Sequence, residues 1–239
     1  MINRKIFFVF INILFFQITI SQNIMINYRF SIVDTKDEYG IIGFSEIKLV
    51  SNNFNSISYS RNIDTLVVIK DIEEPHYQEA SSFNVSSYKK FIEGEKYSKT
   101  LFSKYYLKDQ YYSIKWQITN NEKTILGYNC KEAIGNYRGR DYKVFFTTEI
   151  PIQNGPDSFD NLPGLILEVS SDDNVVKYIA TEIKENDEEI YNPFTDKEYI
   201  SWEEFKMAYR KYFNKMINYK PEEDMTIVVP NRGVELYLE

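Results

Sequence analysis

TILGYNCKEAI at residues 124–134 and DYKVFFTT at residues 141–148 decide the fold. Both segments mix β-branched and aromatic residues with polar ones, which is typical of strands rather than helices. Alternation along the first segment predicts that Leu126, Tyr128 and Cys130 share the face directed toward the core. The connection between the two segments is short and contains glycine, so we expect them to pair as antiparallel neighbours.

Segments of similar composition lie on both sides of this pair. The further predicted strands are Ile24–Val33, Thr100–Tyr106, Tyr111–Gln117, Leu165–Val169 and Val175–Ile183. Asn120-Asn121 predicts a turn, and the short connections favour an antiparallel meander because none has room for a crossover helix. Nearer the N-terminus the pattern is weaker: residues 66–69 fit a strand or a helix, and residues 71–84 are polar and predict a loop.

A helical period follows near the C-terminus. Ser201 and Glu204 match the capping-box pattern, which predicts a helix over residues 202–218. An apolar stripe runs along it at helical spacing, made of Trp202, Phe205, Tyr209, Tyr212, Phe213 and Met216. This stripe either packs on the sheet or forms a lid over a ligand. The predicted fold class is therefore mainly β, a curved antiparallel sheet or half-barrel with one C-terminal α-helix.

The N-terminus has the pattern of an export signal. Arg4 and Lys5 precede an almost unbroken apolar run over residues 6–16, and small side chains follow at the positions that signal peptidase requires. The run is shorter than the roughly 20 residues that span a bilayer, which disfavours the alternative of an uncleaved anchor. We expect residues 1–21 to be removed. Residues 22–239 are then predicted to form a single β-rich domain, not membrane-spanning, in the periplasm or secreted.

The charge and the reactive residues exclude several kinds of site. A net charge of −7 argues against binding to nucleic acid or to anionic lipid surfaces. One cysteine, Cys130, and one histidine, His76, are too few for an intramolecular disulfide or for a zinc or copper site. We expect Cys130 to be a buried, inert thiol; the alternative is a nucleophile paired with His76. The acidic runs at 185–189 and 222–224 are either solvated loops or loose calcium ligands.

The sequence contains no phosphate-binding loop and no serine-nucleophile motif, so it predicts no catalytic residue, no metal and no cofactor. Two further features could contact a ligand. Arg138 and Arg140 flank a glycine in a predicted turn, where they either clamp an anion or face solvent. Residues 151–164 form a proline- and glycine-punctuated loop that is either structural or the rim of a binding mouth.

Residues 116–167 contain many motif residues in a characteristic order. They are Trp116, Gly127, Tyr128, Cys130, Arg140, Pro151, Gly155, Pro156, Leu162, Pro163, Gly164, Leu165 and Ile166. In this order and spacing they resemble the GLPGLI family, exported proteins of unknown function found mainly in the Bacteroidota. The naming hexapeptide stands here as NLPGLI, with Asn161 for the first glycine, a residue that tolerates the positive φ of a turn. Phe145 stands where tryptophan is expected. The strand pattern is also similar to periplasmic half-barrels of the lipoprotein-carrier type.

The resemblance implies export but no activity. We therefore expect a non-enzymatic binding protein that holds a lipid, an apolar small molecule or a peptide in the concave face of the sheet. The predicted ligand contacts are Trp202, Phe205, Tyr209, Arg138 and Arg140. The alternative is a protein-interaction module accessory to an outer-membrane transporter or an exported peptidase, and a hydrolase is the third hypothesis. A carrier would enclose an apolar cavity, whereas a module would fill its core and expose an apolar patch.

Overall fold

The computed structural model describes residues 23–34, 39–69, 76–78, 81–99, 106–110, 112–219 and 233–236. The strands of these residues are β1 (Asn23–Asp34), β2 (Tyr39–Ser51), β3 (Asn55–Ile69), β4 (His76–Gln78), β5 (Asn84–Lys90), β6 (Glu95–Lys99), β7 (Tyr106–Gln110), β8 (Gln117–Ile125), β9 (Tyr128–Tyr137), β10 (Arg140–Thr147), β11 (Leu165–Ser171), β12 (Val176–Asn186) and β13 (Tyr199–Ile200). The helix, α1, spans Trp202–Ile217. The predicted signal segment, residues 1–21, lies outside the described residues.

All of these strands join one sheet. Twelve follow one another in the order β13-β7-β6-β5-β3-β2-β1-β12-β11-β10-β9-β8, and β4 pairs with the far part of β3. Neighbours are antiparallel except β13 and β7, which are parallel. The sheet curves without closing. The predicted fold class is confirmed: the chain is mainly β, with an open curved sheet and one helix near its C-terminus.

A tight turn divides the segment that was predicted as a single strand over residues 124–134. Leu126 and Gly127 connect β8 to β9 with φ angles of 51° and 86°. Two successive positive φ angles are typical of a type I′ turn, whose twist suits a hairpin. The continuous strand is therefore wrong, because Thr124 pairs with Asn129 across this turn. Leu126 is 46% exposed at the turn instead of lying on the core face.

The asparagine pair that predicted a turn lies inside β8 instead. The register of β8 with β9 shifts between Ile118 and Glu122, so residues 119–121 form a bulge. The Glu132 carboxylate accepts hydrogen bonds from Thr119 Oγ1 at 2.8 Å and from Asn121 Nδ2 at 2.9 Å. These bonds hold the extra residues against the neighbouring strand, which a turn propensity alone does not reveal.

Other predicted elements differ in extent. The predicted strand over 111–117 is wrong, since residues 112–116 have no regular structure. Most of the predicted strand over 100–106 lies outside the described residues, and β7 begins at its last residue. The loop predicted over 71–84 contains β4, and residues 66–69 extend β3. Long antiparallel strands joined by hairpin turns therefore take the place of some of the short strands that were expected.

The chain between β10 and β11 packs against the concave face of the sheet; residues 148–164 are called the plug loop. Phe159 is fully buried, and its ring lies 4.7 Å from that of Tyr142 and 6.0 Å from that of Tyr178 (centroid distances). Asn161 has a φ of 64°, the left-handed conformation that asparagine tolerates. A Cβ on Gly164 would lie 2.0 Å from the Thr147 carbonyl oxygen, so this turn requires glycine.

Two hydrophobic cores lie on opposite faces of the sheet. The inner core, under the plug loop, includes Ile26 of β1 and Leu49 of β2. Their chain neighbours Met25 and Val50 belong instead to the outer core. Successive residues of a strand point to opposite faces, so the sheet has apolar residues on both sides. Phe194, in the segment after β12, covers the outer core.

Helix α1 begins as predicted. Ser201 Oγ accepts the backbone N–H of Glu204, and the Glu204 carboxylate accepts the backbone N–H of Ser201 at 2.8 Å. This capping box satisfies free N–H groups of the first turn. Phe205 and Tyr209 are buried against Leu107 of β7, so the aromatic stripe packs on the sheet.

Candidate functional site

The concave face of β2, β3, β5, β6 and β7 borders a cavity of about 470 Å³, called here the central cavity. The plug loop, the start of α1 and residues 233–236 complete its walls. Its volume falls in the range of roughly 300–1,000 Å³ that is usual for small-molecule sites. The curvature of the sheet and the packing of α1 on its edge strand therefore produce a concave site.

Six serines lie on the strand side of the central cavity, among apolar residues such as Ile47 and Leu107. Its serines are Ser45, Ser58, Ser60, Ser86, Ser87 and Ser98. Alternation along β3 sends Tyr59 to the outer core and leaves Ser58 and Ser60 on the concave face. In β5 the register with β3 shifts at Ser86, and Ser86 and Ser87 both line the cavity. Each hydroxyl can both donate and accept a hydrogen bond, so this wall suits a ligand that carries many hydroxyls.

The turn between β9 and β10 places Arg138 against the start of α1. The guanidinium carbon lies 3.7 Å from the ring centroid of Trp202, and the Asp109 carboxylate pairs with the same guanidinium. The Arg138 side chain is only 8% exposed, so the expectation of a solvent-facing turn is wrong here. Stacked and paired in this way, Arg138 holds the Trp202 ring at the cavity wall.

Two carboxylates at the cavity differ in their preferred protonation. Lys96 Nζ lies 2.5 Å from Asp157 Oδ1. Burial opposes ionisation of Asp157, but the charge and hydrogen bond of Lys96 outweigh it and hold the pKa of this carboxyl below its ordinary value. Glu235 accepts a hydrogen bond from the Tyr137 hydroxyl at 3.1 Å. Burial, and then the neighbouring Asp157 carboxylate, raises the pKa of Glu235.

The structure brings together three of the five predicted ligand contacts. Trp202, Phe205 and Arg138 line the central cavity. Tyr209 lies behind Phe205, with ring centroids 6.0 Å apart, and packs on Leu107. A role of these residues in binding stays a prediction.

Arg140 lies apart from the other predicted contacts. It is 4% exposed, and its guanidinium donates to the backbone carbonyl of Gly233. Its Nε lies 3.4 Å from Asp173 Oδ2. Arg140 thus fixes the segment after α1 to the sheet, and the expected solvent-facing position is wrong for it as well.

Sequence reasoning missed the serines, Lys96, Asp157 and Glu235. A signal for the serines was present, since serine occupies positions 56, 58 and 60, alternating with apolar and aromatic residues. This alternation indicates a strand with a polar inner face. The charged groups come from distant segments, and only the fold places them together.

The lone cysteine is buried as predicted. Cys130 is 1% exposed, and burial raises the pKa of its thiol. A thiol with a raised pKa is a poor nucleophile at neutral pH. His76, the alternative partner, lies on β4, and its side chain is outside the described residues.

The two acidic runs differ in what can be described. In the run at 185–189, Glu188 Oε2 lies 2.6 Å from Lys48 Nζ, and the run at 222–224 is outside the described residues. Across the described ranges, no group of His, Cys, Asp and Glu side chains is arranged to hold a metal ion. In the same part of the chain, no helix has the length and apolarity to cross a membrane.

One protein family has a profile that matches this chain. The profile of the N-glycanase peptide, N-terminal domain, matches residues 45–210. Two solved structures of PNGF-II, in space groups P21 and C2, are similar to it with TM-scores of 0.48 and 0.42 and identities of 14% and 16%. The similarity covers 79% and 76% of this chain but 33% and 31% of those chains, so this chain spans about a third of their length. No curated protein matches the sequence.

The profile match corrects three predictions. Membership of the GLPGLI family, inferred from residues 116–167, is wrong, because the family that matches is that of the N-glycanase domain. The predicted carrier of a lipid, an apolar small molecule or a peptide is wrong for the same reason. So is the alternative of an interaction module for an outer-membrane transporter or an exported peptidase.

Proposed function

Because the chain belongs to the family of the N-glycanase peptide, N-terminal domain, we propose that it recognises glycans and binds an oligosaccharide in its central cavity. The role is recognition of the sugar rather than its cleavage. Two of the three carboxylates at the cavity support this choice, because Asp157 is paired with Lys96 and Asp109 with Arg138. Groups held in ion pairs are suited to fixed hydrogen bonds more than to proton transfer.

The observation that carries this proposal is the combination of serines, paired charges and a fixed tryptophan in one cavity. A sugar presents hydroxyls around its edge and C–H groups on its faces. The serine wall offers donors and acceptors to the edge, and the Trp202 and Phe205 side chains at the cavity offer an apolar surface to the face.

The export of this chain is consistent with its membership of this family. We propose that residues 1–21 direct the export and that the protein works in the periplasm or outside the cell, where it meets the glycans of other molecules. The similarity covers about a third of the PNGF-II chains, so N-glycanase activity is only a further hypothesis for this chain.

A binding experiment tests the proposal. The purified protein is screened on an array of glycans, and the affinity for a neutral high-mannose N-glycan is then measured by calorimetry. Trp202→Ala should weaken binding about tenfold, or roughly 1.4 kcal/mol. Met207→Ala is the matched control, because Met207 lies on the same helix and is 64% exposed. Absence of binding to any glycan, or equal affinities of Trp202→Ala and the wild type, would refute the proposal.

A further inference from the structure

A second cavity, of about 370 Å³, lies where two hairpin turns meet the plug loop; it is called here the end pocket. One turn joins β2 to β3 and the other joins β5 to β6. The Phe91 backbone N–H donates to the Phe54 carbonyl oxygen at 2.9 Å, which ties the two turns together. The plug loop contributes to both cavities, with Asp157 in the central cavity and Asp160 in the end pocket.

Carboxamide groups dominate the end pocket. Asn52, Asn53, Gln153 and Asn161 line it, together with the Phe91 side chain. A carboxamide has two donor hydrogens and an acceptor oxygen on one rigid plane. The Asn52 carboxamide bonds within the protein at both ends, since its Nδ2 donates to Asn23 Oδ1 at 2.8 Å and its Oδ1 accepts two backbone N–H groups. The Gln153 carboxamide suits a neutral ligand whose groups both donate and accept, and the Phe91 side chain adds an apolar surface beside it.

The floor of the end pocket is fixed before any ligand arrives. Asn161 Nδ2 donates to Asp160 Oδ1 at 2.7 Å, and the left-handed backbone of Asn161 holds its side chain in place. Asn52 Oδ1 accepts the backbone N–H groups of Phe54 at 2.8 Å and Asn55 at 2.9 Å. A polar site held in this way loses little entropy when it binds.

A buried ion pair lies beneath this floor. Lys89 Nζ lies 3.3 Å from Asp160 Oδ2, and the two side chains are 1% and 3% exposed. Lys89 Nζ also donates to Asn154 Oδ1 at 2.9 Å. A buried ion pair rarely adds stability over apolar residues of similar size, so its presence calls for another role. Here it neutralises the carboxylate of the pocket floor and leaves the pocket suited to an uncharged ligand.

Apolar side chains stand at the tips of the same two turns. Phe54 is 51% exposed, and Ile92 is 80% exposed. Exposed apolar groups beside a polar pocket offer further contact area to a ligand that extends out of it. They also match the C–H face of a sugar ring.

We infer that the end pocket is a second glycan site, separate from the central cavity, which takes a neutral sugar unit. This inference rests on the proposed function, since it assumes that the protein binds glycans. A chain with two sugar sites would bind a branched or extended glycan more tightly than either site alone.

Calorimetry and amide NMR with the neutral high-mannose N-glycan test the inference. We expect about two molecules of a short glycan fragment to bind per protein chain. Asn161→Gly, alone or combined with Gln153→Ala, should weaken binding at one of the two sites about tenfold. Glycine keeps the left-handed backbone of residue 161 and removes only the carboxamide. Asn174→Gly is the matched control, because Asn174 is exposed and has a φ of 59° in another turn.

The outcomes separate this inference from the proposed function. A single site that Trp202→Ala weakens and Asn161→Gly leaves unchanged would overturn the end pocket and keep the central cavity. A site that survives Trp202→Ala and is lost in Asn161→Gly would support the end pocket and overturn the central cavity. Absence of any binding would overturn both. Thermal unfolding of Asn161→Gly and Asn174→Gly shows whether a loss of binding follows from a loss of fold.

Discussion

The two halves of the sheet place their apolar residues on opposite faces. Strands β8–β12 bury theirs on the concave face under the plug loop, where Phe159 is 0% exposed. Strands β3, β5 and β6 bury theirs on the outer face under Phe194, which is 2% exposed. Their concave face carries serines and charges and borders the central cavity. Successive residues alternate between the two faces in both halves of the sheet. The residues on the concave face are apolar in one half, where they form a core, and largely polar in the other half, where they line the cavity.

The difference separates stability from function within one sheet. Removing a side chain from the inner core should change stability, whereas removing a serine from the concave face of the other half should change binding with little effect on the fold. The outer core supports the strands of the site from behind. We therefore expect the two cores to contribute unequally, with the larger inner core contributing more.

Replacement of a phenylalanine in each core gives the largest expected effect. Phe159→Ala should lower the free energy of unfolding by about 3–5 kcal/mol, because it opens a cavity among packed rings. Phe194→Ala should cost about 3 kcal/mol, at the lower end of this range. Urea unfolding measures both, and Phe83→Ala, at a 42% exposed position, is the control. If Phe194→Ala lowers the free energy of unfolding as much as Phe159→Ala or more, the inner core does not contribute more than the outer core.

The buried ion pair should come next. Lys89→Met should lower the free energy of unfolding by about 3 kcal/mol, because it leaves the Asp160 carboxylate buried without its partner. Adding Asp160→Asn should restore part of this loss, since an amide costs less to bury than a charge. Urea unfolding of the two variants checks this. If the double variant is less stable than Lys89→Met alone, the carboxylate left without Lys89 is not the source of the loss.

Replacement of two turn glycines compares a steric requirement with a conformational one. Gly164→Ala should cost about 1–3 kcal/mol, because the new Cβ would meet the Thr147 carbonyl under the plug loop. Gly127→Ala should cost about 1 kcal/mol from its positive φ alone, since no atom lies within 4 Å of a Cβ there. Thermal unfolding measures both. Equal costs would mean that the plug loop adjusts freely to the extra methyl.

The sequence was sufficient for the fold class and insufficient for the site. Alternation and the capping box of Ser201 predict strands and helix α1 correctly, because both are local patterns. The turn at Leu126 was missed, since leucine seldom adopts a positive φ and the apolar run continues through it. The central cavity joins Lys96, Asp157 and Glu235 from distant segments, and no local pattern shows their proximity. The motif residues of 116–167 lie in tight turns and buried contacts. They therefore predicted local structure and did not identify the family.

The smallest expected effect concerns the two carboxylates of the cavity and changes with pH. The raised pKa of Glu235 means that its folded-state contribution is fully present below the ordinary value of 4.5 and is lost as pH rises through the folded-state pKa. Glu235→Gln should therefore match the wild type at low pH and be more stable above neutrality. Asp157→Asn should act oppositely: the lowered pKa of Asp157 stabilises the fold above its ordinary value of 3.8, and this stability is lost as pH falls. Thermal unfolding across pH measures both variants, and shifts of the same sign would show that the two carboxylates do not differ as the fold implies.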